Sequence, residues 1–423
     1  MKFNVLVFPC GSEIGLEIYK ALSANKHISL YGASSVKSNH GKYVYKNYIE
    51  GLPDISEPDI IDKLNSIVEK YNIDCIFPAH DSVVTKLSEM QSDIICKVIT
   101  SPKETCRVAR SKLATYQLLK GVVPTPRVYT SDEDIEEFPV FLKPDVGQGS
   151  RGTVKCSTLE EVRFHLSKDK SLLILEFLPG KEYTVDCFTD FNRDLRFVGP
   201  RERVRIQNGI SVNTVPIKDT RFEEMAKKIN DMLVFQGAWF FQVKENARGE
   251  LVLMEIAPRI AGAMALNRNR GINLPLLSIY DAFKVKVDII LNDFSLEMDR
   301  ALTNRFITNL SYEHVYIDLD DTIILNGNIN TQLIAFLYQC INRKIKVHLV
   351  TRYSGNLSQI LQEYRISQLF DSCFQLTEGE KKSSCIRFSN SIFIDDSFKE
   401  RKEVFENLGI PVFDCDSVEL LIN

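Results

Sequence analysis

The sequence predicts a multidomain protein of mixed α/β and α+β class, and three features of its pattern carry that expectation. Apolar runs alternate with helical patterns from residue 1 to about 110 and again from about 311 onward, which is the signature of parallel sheets with helical crossovers. The middle of the chain instead holds paired apolar runs around polar turns. At 423 residues the chain also exceeds the roughly 250 at which single cores stop growing.

The elements follow in order. "FNVLVFP", "SEIGLEIYKALSA", "ISLYGAS", "EPDIIDKLNSIVEKYN" and "CIFPAH" read as strand, helix, strand, helix, strand. Gly11 and Gly15 fall between the first strand and its helix, but "CGSEIG" lacks the three-glycine spacing of a dinucleotide fingerprint and reads as a plain turn. "GVVPTPRVYT", 121 to 130, reads as a linker because its prolines block helix continuation. "SLLILEF" and "KEYTVDCFTD" are strands, "AWFFQVKENARGELVLMEIAP" is a hairpin, and "LPLLSIYDAFKVKV" is a closing helix. After a boundary near 300 to 312, "HVYIDLD", "KVHLVT" and "SIFIDD" are the strands of a further sheet.

Composition excludes several classes. With 44% apolar and 26% charged residues the chain is neither disordered nor fibrous, and a net charge of -4 gives no basic footprint for nucleic acid. No window holds the 18 or so apolar residues of a membrane span, so a cytoplasmic protein is expected. The 10 cysteines form no Cys-x-x-Cys pair and read as buried hydrophobes in a reducing compartment.

Two stretches point to phosphate chemistry. In "VFLKPDVGQGSRGT", Lys143 ends an apolar strand and is followed by Gly147, Gly149, Ser150 and Gly152, a loop whose N–H groups can approach phosphate oxygens beside a cation; a flexible hairpin loop is the other reading. Gln242 and Glu255 lie on adjacent strands of the expected hairpin and can offer oxygens to a hard divalent cation. Arg259 follows four residues later, suited to a transferring phosphoryl group or an acidic substrate. Arg201, Arg203 and Arg205 alternate and would share one strand face, facing an acidic substrate or only solvent.

In the last third, "YIDLDDT" puts Asp318 and Asp320 at a strand's carboxyl end, where open α/β sheets place ligands. Two such carboxylates repel unless a cation or proton intervenes; a helix N-cap cluster accounts for Thr322 but not for the rest. "VHLVTR" and "SIFIDDS" end at Thr351 and at Asp395 and Asp396, with Lys381 and Lys382 between them.

Residues 1 to about 290 resemble the ATP-grasp superfamily, with an amino-terminal domain like that of carboxylate–amine ligases and carbamoyl phosphate synthetase. The resemblance implies that Lys112 and Lys143 contact nucleotide phosphates along with the glycine loop at Gly149 and Ser150. It makes Glu176 and Leu178 in "EFL" the adenine-contacting hinge, Glu182 the ribose acid, and Gln242 and Glu255 the magnesium ligands. ATP and Mg2+, or Mn2+ in its place, are the implied cofactors, and a small carboxylate with an amine or thiol the implied substrates. One departure stands out: "EIAPR" has Ala257 where the family carries an Asn ligand, so one magnesium is held less firmly or Asn267 or Asn269 substitutes.

Residues 312 to 423 resemble the haloacid dehalogenase (HAD) superfamily of phosphatases. That resemblance implies Asp318 as nucleophile, Asp320 as acid–base partner, Thr351 and Lys382 (or Lys381) as phosphoryl ligands, and Asp395 and Asp396 holding magnesium with Asp318 and Asp320. The short intervals between motifs leave no room for a cap domain. The expected layout is a parallel-sheet domain over 1–110, an ATP-grasp domain over 111–305 and a cap-less, Rossmann-like HAD domain over 312–423. Together they would form a bifunctional ligase and phosphatase acting on a phosphorylated substrate, with no nucleic acid or membrane partner and with a homodimer compatible. The alternative is a phosphatase regulated by an ATP-binding module that has lost catalysis.

Overall fold

The computed structural model describes residues 2–147, 149, 151–292, 294–303, 306 and 308–422. The chain divides into two compact units, Met1–Thr303 and Asn304–Asn423. Among the described residues no helix is long and apolar enough to cross a membrane.

The first unit opens with a parallel five-stranded sheet in the order Asn47–Ile49, Ile28–Ala33, Phe3–Phe8, Cys75–Pro78, Lys97–Val98. Near-continuous apolar runs make these strands, because helices cover both faces and leave few positions wet. Ser12 starts the first helix, Glu13–Leu22, by accepting from Gly15 N at 2.9 Å. A Cβ on Gly15 would lie 2.6 Å from the Cys10 carbonyl oxygen, so this glycine is fixed by close backbone packing. The order reverses between Phe3–Phe8 and Cys75–Pro78, and the loops leaving those two strands flank the crevice where such sheets bind ligands.

Two antiparallel sheets complete the unit. A four-stranded sheet runs Val128–Tyr129, Leu172–Glu176, Val140–Pro144, Val154–Cys156. The expected linker is therefore partly structural, since its last residues pair as an edge strand while its prolines stay outside the ladder. A six-stranded sheet runs Leu251–Ala257, Gly237–Glu245, Glu182–Thr189, Leu195–Gln207, Ile210–Pro216, Met298–Asp299. Its strands pack against helix Thr220–Met232 through Trp239, Phe241, Phe222 and Ile229, each worth about 1.5–3 kcal/mol when fully buried. Phe235 stacks on Trp239 with centroids 3.9 Å apart.

The three arginines of "VGPRERVRIQNG" do not share one face. Register shifts between Arg203 and Arg205 break the alternation, so Arg201 and Arg203 turn inward while Arg205 pairs with Asp299 at the surface.

The second unit is a parallel five-stranded sheet in the order Ser372–Gln375, Lys346–Thr351, His314–Ile317, Ser391–Ile394, Val412–Phe413. Val315, Ile317, Leu349, Ile392 and Ile394 are fully buried among Leu333, Phe336 and Leu337 of helix Thr331–Asn342. Between Asp318 and that helix lies only a small hairpin, Ile324–Leu325 with Asn328–Ile329. Thr322 therefore sits in a turn and not at a helix start, beside Asp321 with its φ of 53°.

Candidate functional site

In the first unit the hairpin register sets the site. Gln242 and Glu255 are directly paired across Gly237–Glu245 and Leu251–Ala257, so both side chains leave the same face of the sheet. That face fronts a cavity of about 170 Å³ lined by Lys112, Lys143, Glu176, Leu178, Glu182, Gln242 and Glu255. The expected nucleotide residues are thus brought together, except that Ser150 lies outside the described residues.

Lys143 is only 7% exposed and donates to Tyr116 Oη at 2.8 Å, which in turn donates to the Met254 carbonyl at 2.7 Å. Burial lowers the Lys143 ammonium from its ordinary 10.5 to about 8, against the pull of Glu255. Lys112 is lowered by burial as well, with Glu255 opposing. Its Nζ donates to the Asp145 carbonyl at 3.1 Å. The Asp145 carboxylate accepts from Ser111 Oγ at 2.8 Å and Leu113 N at 2.8 Å, tying the strand that carries Lys143 to the helix that carries Lys112. Sequence reasoning missed Asp145 and Tyr116.

Gly149 has φ 61°, and the loop that carries it meets the turn at Asn208 and Gly209. A Cβ on Gly209 would fall 2.5 Å from the Gly149 carbonyl carbon, so only glycine lets these backbones approach. Glu176 accepts from Arg127 N at 3.1 Å, and Leu178 is buried at the cavity wall.

Arg203 changes how Glu182 and Gln242 stand. Its Nη1 donates to Glu182 Oε1 at 2.6 Å and to Gln242 Oε1 at 2.5 Å, while Nη2 donates to the Gly209 carbonyl at 2.6 Å. In this arrangement the Gln242 amide oxygen is occupied by the Arg203 guanidinium, and Glu255 is the one carboxylate of the pair. Ala257 is buried against Phe240 and Ala261 and offers nothing. Neither proposed substitute replaces it: Asn267 is 1% exposed and donates to Asp186 at 2.9 Å, Asn269 donates to the Ala265 carbonyl, and neither lines the cavities.

A second cavity, about 280 Å³, shares Lys112, Arg203, Gln242 and Glu255 with the first and extends to the crevice of the amino-terminal sheet through Glu13, His80 and Asp81. Arg259 lines it, and its guanidinium is held by Asp81, the first residue of helix Asp81–Glu89, at 2.5 and 2.8 Å. Arg201 lines it too, only 2% exposed; its Nε donates to Asp186 at 2.9 Å while Nη1 has no hydrogen-bond partner. A buried unsatisfied donor costs about 1–3 kcal/mol, so an anion arriving there would be favoured.

The second unit gathers its site from strand tips. Lys382 is 2% exposed and donates to Asp318 Oδ1 at 2.6 Å and Asp395 Oδ2 at 2.7 Å, whereas Lys381 is exposed. Asp318, Asp395 and Asp396 offer oxygens all within 4.8 Å of one another. Burial pushes Asp318 up to about 7 despite Lys382, with Asp395 pushing the same way. Three carboxylates against one ammonium leave surplus negative charge, so the residues fit a divalent cation. Asp320 lies outside that trio, exposed, its Oδ2 accepting from Thr351 Oγ1 at 3.5 Å; its raised carboxyl owes most to burial. Thr351 is fully buried and accepts from Tyr353 N at 3.0 Å.

The supports of this site were less visible in sequence. Thr322 Oγ1 donates to Asp396 Oδ1 at 3.2 Å and accepts from Asp396 N at 3.0 Å. Asp395 accepts from Ser397 N at 2.8 Å, and Arg401 donates to the carbonyls of Asp395 and Asp396 at 2.6 and 2.7 Å. Thr322 follows the aspartates directly in "YIDLDDT", and that nearness was its signal; Arg401 had none.

Comparison with known proteins bears on the first unit. A family profile described as "ATP-grasp in the biosynthetic pathway with Ter operon" matches residues 168–298. The D-alanine–D-alanine ligase of Fusobacterium nucleatum is 26% identical over 156 residues, 35% of this chain and 53% of that protein. The carbamoyl-phosphate synthase of Methanobrevibacter smithii is 24% identical over 172 residues, 34% of this chain and 47% of that protein. The chain thus spans about half the length of the curated relatives it matches. The structure of Staphylococcus aureus N5-carboxyaminoimidazole synthetase complexed with ADP superposes with TM-score 0.58 at 16% identity, covering 71% of this chain and 83% of that one. The likeness is one of fold: an ATP-grasp-like α/β architecture with parallel and antiparallel sheets.

Proposed function

We propose that the chain is an ATP-dependent ligase joining a carboxylate to an amine or thiol through an acyl phosphate, fused to a magnesium-dependent phosphatase of the HAD type. The ligase reading is carried by two cavities that share Lys112, Gln242 and Glu255, one fitted to a nucleotide and one to its co-substrates. The relatives that match, a ligase and a synthase, and the ADP complex of the structural neighbour support it.

In this reading the smaller cavity takes ATP, with the adenine at Glu176 and Leu178. Lys143 and Lys112 meet its phosphates with the glycine loop at Gly149 and Ser150, and Glu182 takes the ribose once Arg203 lets go. Mg2+, or Mn2+, arriving with ATP would rest on Glu255 and supply neutralisation between the phosphates. The carboxylate substrate meets the Arg201 guanidinium and attacks the terminal phosphorus, and an amine then displaces phosphate. Arg259 holds Asp81, the first residue of helix Asp81–Glu89, at the wall of the larger cavity.

In the second unit Asp318 attacks the phosphorus of a phosphoester, and Lys382 and Thr351 hold the phosphoryl oxygens. Asp320 gives its proton to the leaving oxygen and then takes one from the water that hydrolyses the aspartyl phosphate. Asp395 and Asp396, with Asp318, would hold Mg2+, which supplies charge neutralisation there. Fusion of the units suggests that the phosphate removed belongs to a substrate or product of the ligase.

The test is a mass-spectrometric screen with ATP, Mg2+ and pooled carboxylates and amines, beside p-nitrophenyl phosphate hydrolysis. A condensed product with ADP, lost in Lys143→Ala, supports the first activity; hydrolysis lost in Asp318→Asn supports the second. A second reading, a phosphatase governed by an ATP-binding unit without ligase activity, is favoured by Ala257 and by the Arg203 contact to Gln242. Nucleotide binding that alters hydrolysis without any ADP formation would select it.

A further inference from the structure

Five arginines line the larger cavity, and four of them are held by carboxylates. Arg201 is paired with Asp186, Arg203 with Glu182 and Arg300 with Glu13. Every guanidinium nitrogen of Arg259 has a partner, Nε and Nη2 on Asp81 and Nη1 on the Ile260 carbonyl. Arg110 is different. Its Nη1 donates to the Gly147 carbonyl at 3.3 Å, and among the described residues no carboxylate is paired with it.

The chain places this arginine at the junction of the two cavities. It ends helix Lys103–Arg110, and only Ser111 separates it from Lys112, the first residue of helix Lys112–Leu119. Lys112 and Gly147 line both cavities, whereas Arg110 lines the larger one. Burial lowers the Lys112 ammonium and Arg110 adds to that effect, with Glu255 opposing. Against the lift of burial, Arg259 and then Arg110 hold the Asp81 carboxyl below its usual range. The Arg110 charge is thus felt beside the phosphate-binding lysine and at the crevice of the amino-terminal sheet.

We propose that Arg110 is a catalytic residue of the ligase, holding the transferring phosphoryl group on the side from which the carboxylate attacks. The proposal rests on the ligase reading above.

The chemistry asks for a cation there. A carboxylate oxygen bonds to the terminal phosphorus while the bond from that phosphorus to the β–γ bridging oxygen breaks, its electron pair leaving with ADP. No proton moves. Carboxylate and phosphate are both anions, so their approach is repulsive unless positive charge faces the oxygens between them. Lys143 and Lys112 serve the nucleotide side. A guanidinium offers a planar fork to two phosphoryl oxygens, and the bond to Gly147, long at 3.3 Å, is exchanged at little cost. A contact made mainly during transfer speeds the step while adding little to nucleotide affinity.

That difference gives the experiment, and it needs no known co-substrate. Mg-ADP with aluminium fluoride copies the phosphoryl group in flight beside ADP. ADP affinity is measured by calorimetry for the full chain and for Arg110→Ala, with and without fluoroaluminate. Fluoroaluminate should tighten ADP about a hundredfold in the parent and less than about threefold in Arg110→Ala, while ADP alone binds both within about twofold. Guanidinium ion at a non-denaturing concentration should restore the tightening to Arg110→Ala. Retained ADP binding doubles as evidence that the variant is folded. Equal tightening in parent and variant, no tightening in the parent, or weakened binding of ADP itself in the variant each overturns the role of Arg110 and leaves the nucleotide site standing. A loss that guanidinium does not restore marks Arg110 as a support of the glycine loop and overturns the role as well. Failure of the parent to bind Mg-ADP overturns both this role and the ligase reading.

Discussion

ATP binding should draw a proton onto Lys143, and the size of that uptake follows from the geometry. The ammonium sits 7% exposed against a phenol and a carbonyl, and its acid constant is lowered from 10.5 to about 8. At about 1.36 kcal/mol per pKa unit, carrying the charge in the empty cavity costs on the order of 3 kcal/mol. Phosphate oxygens beside Nζ remove that cost, and the bound complex holds the proton well above pH 8. About three-quarters of the free chain lacks this proton at pH 8.5 and about a tenth at pH 7, so ATP affinity should fall roughly fourfold across that interval. Calorimetric titration with ATP and Mg2+ in buffers of different ionisation enthalpy should register about 0.7 proton taken up at pH 8.5 and close to none for Lys143→Met. Stability carries the matching sign: between about 8 and 10.5 the unfolded chain binds more protons at this site, so its contribution improves as pH rises through that window. Equal proton uptake by the parent and Lys143→Met at pH 8.5 would refute the argument that burial holds this lysine poised for phosphate.

Further outcomes follow from single contacts. Lys382→Met strands Asp318 and Asp395 without their cation and should destabilise the chain by about 3–5 kcal/mol in urea without metal, partly recovered by millimolar Mg2+. Gly209→Ala places a Cβ 2.5 Å from the Gly149 carbonyl carbon at φ 75°, displacing the glycine loop, so the KM for ATP should rise about tenfold with little change in circular dichroism. Ala257→Asn restores a ligand atom in a buried position: the Mg2+ needed for half-maximal ATP turnover should fall, at a stability cost of about 1–3 kcal/mol seen in thermal unfolding.

The parts of this fold that were legible in sequence are those fixed by local periodicity. Apolar runs ending in Asp318, Thr351 or Asp395 announce strands with polar tips, because a strand buried on both faces can carry charge only where it leaves the sheet. The hairpin that pairs Gln242 with Glu255 was likewise visible from its two runs and polar turn. What escaped depends on register or on partners far along the chain. Arg201, Arg203 and Arg205 looked like one face until a bulge separated them, and no pattern announces that Arg203 reaches Glu182 and Gln242. Asp145 bonds Ser111, Tyr116 orients Lys143, and Arg259 meets Asp81, all through tertiary folding that no spacing rule encodes. Ala257 was readable as a departure, but the fate of Asn267 required seeing Asp186 beside it.

Release of ADP by the intact chain, followed as carboxylates and amines are supplied singly and together, tests the ligase assignment most directly. The geometry predicts ADP formation that requires both co-substrates and disappears in Glu255→Gln. Nucleotide binding without ADP formation under any combination would contradict it and leave the first unit as a sensor.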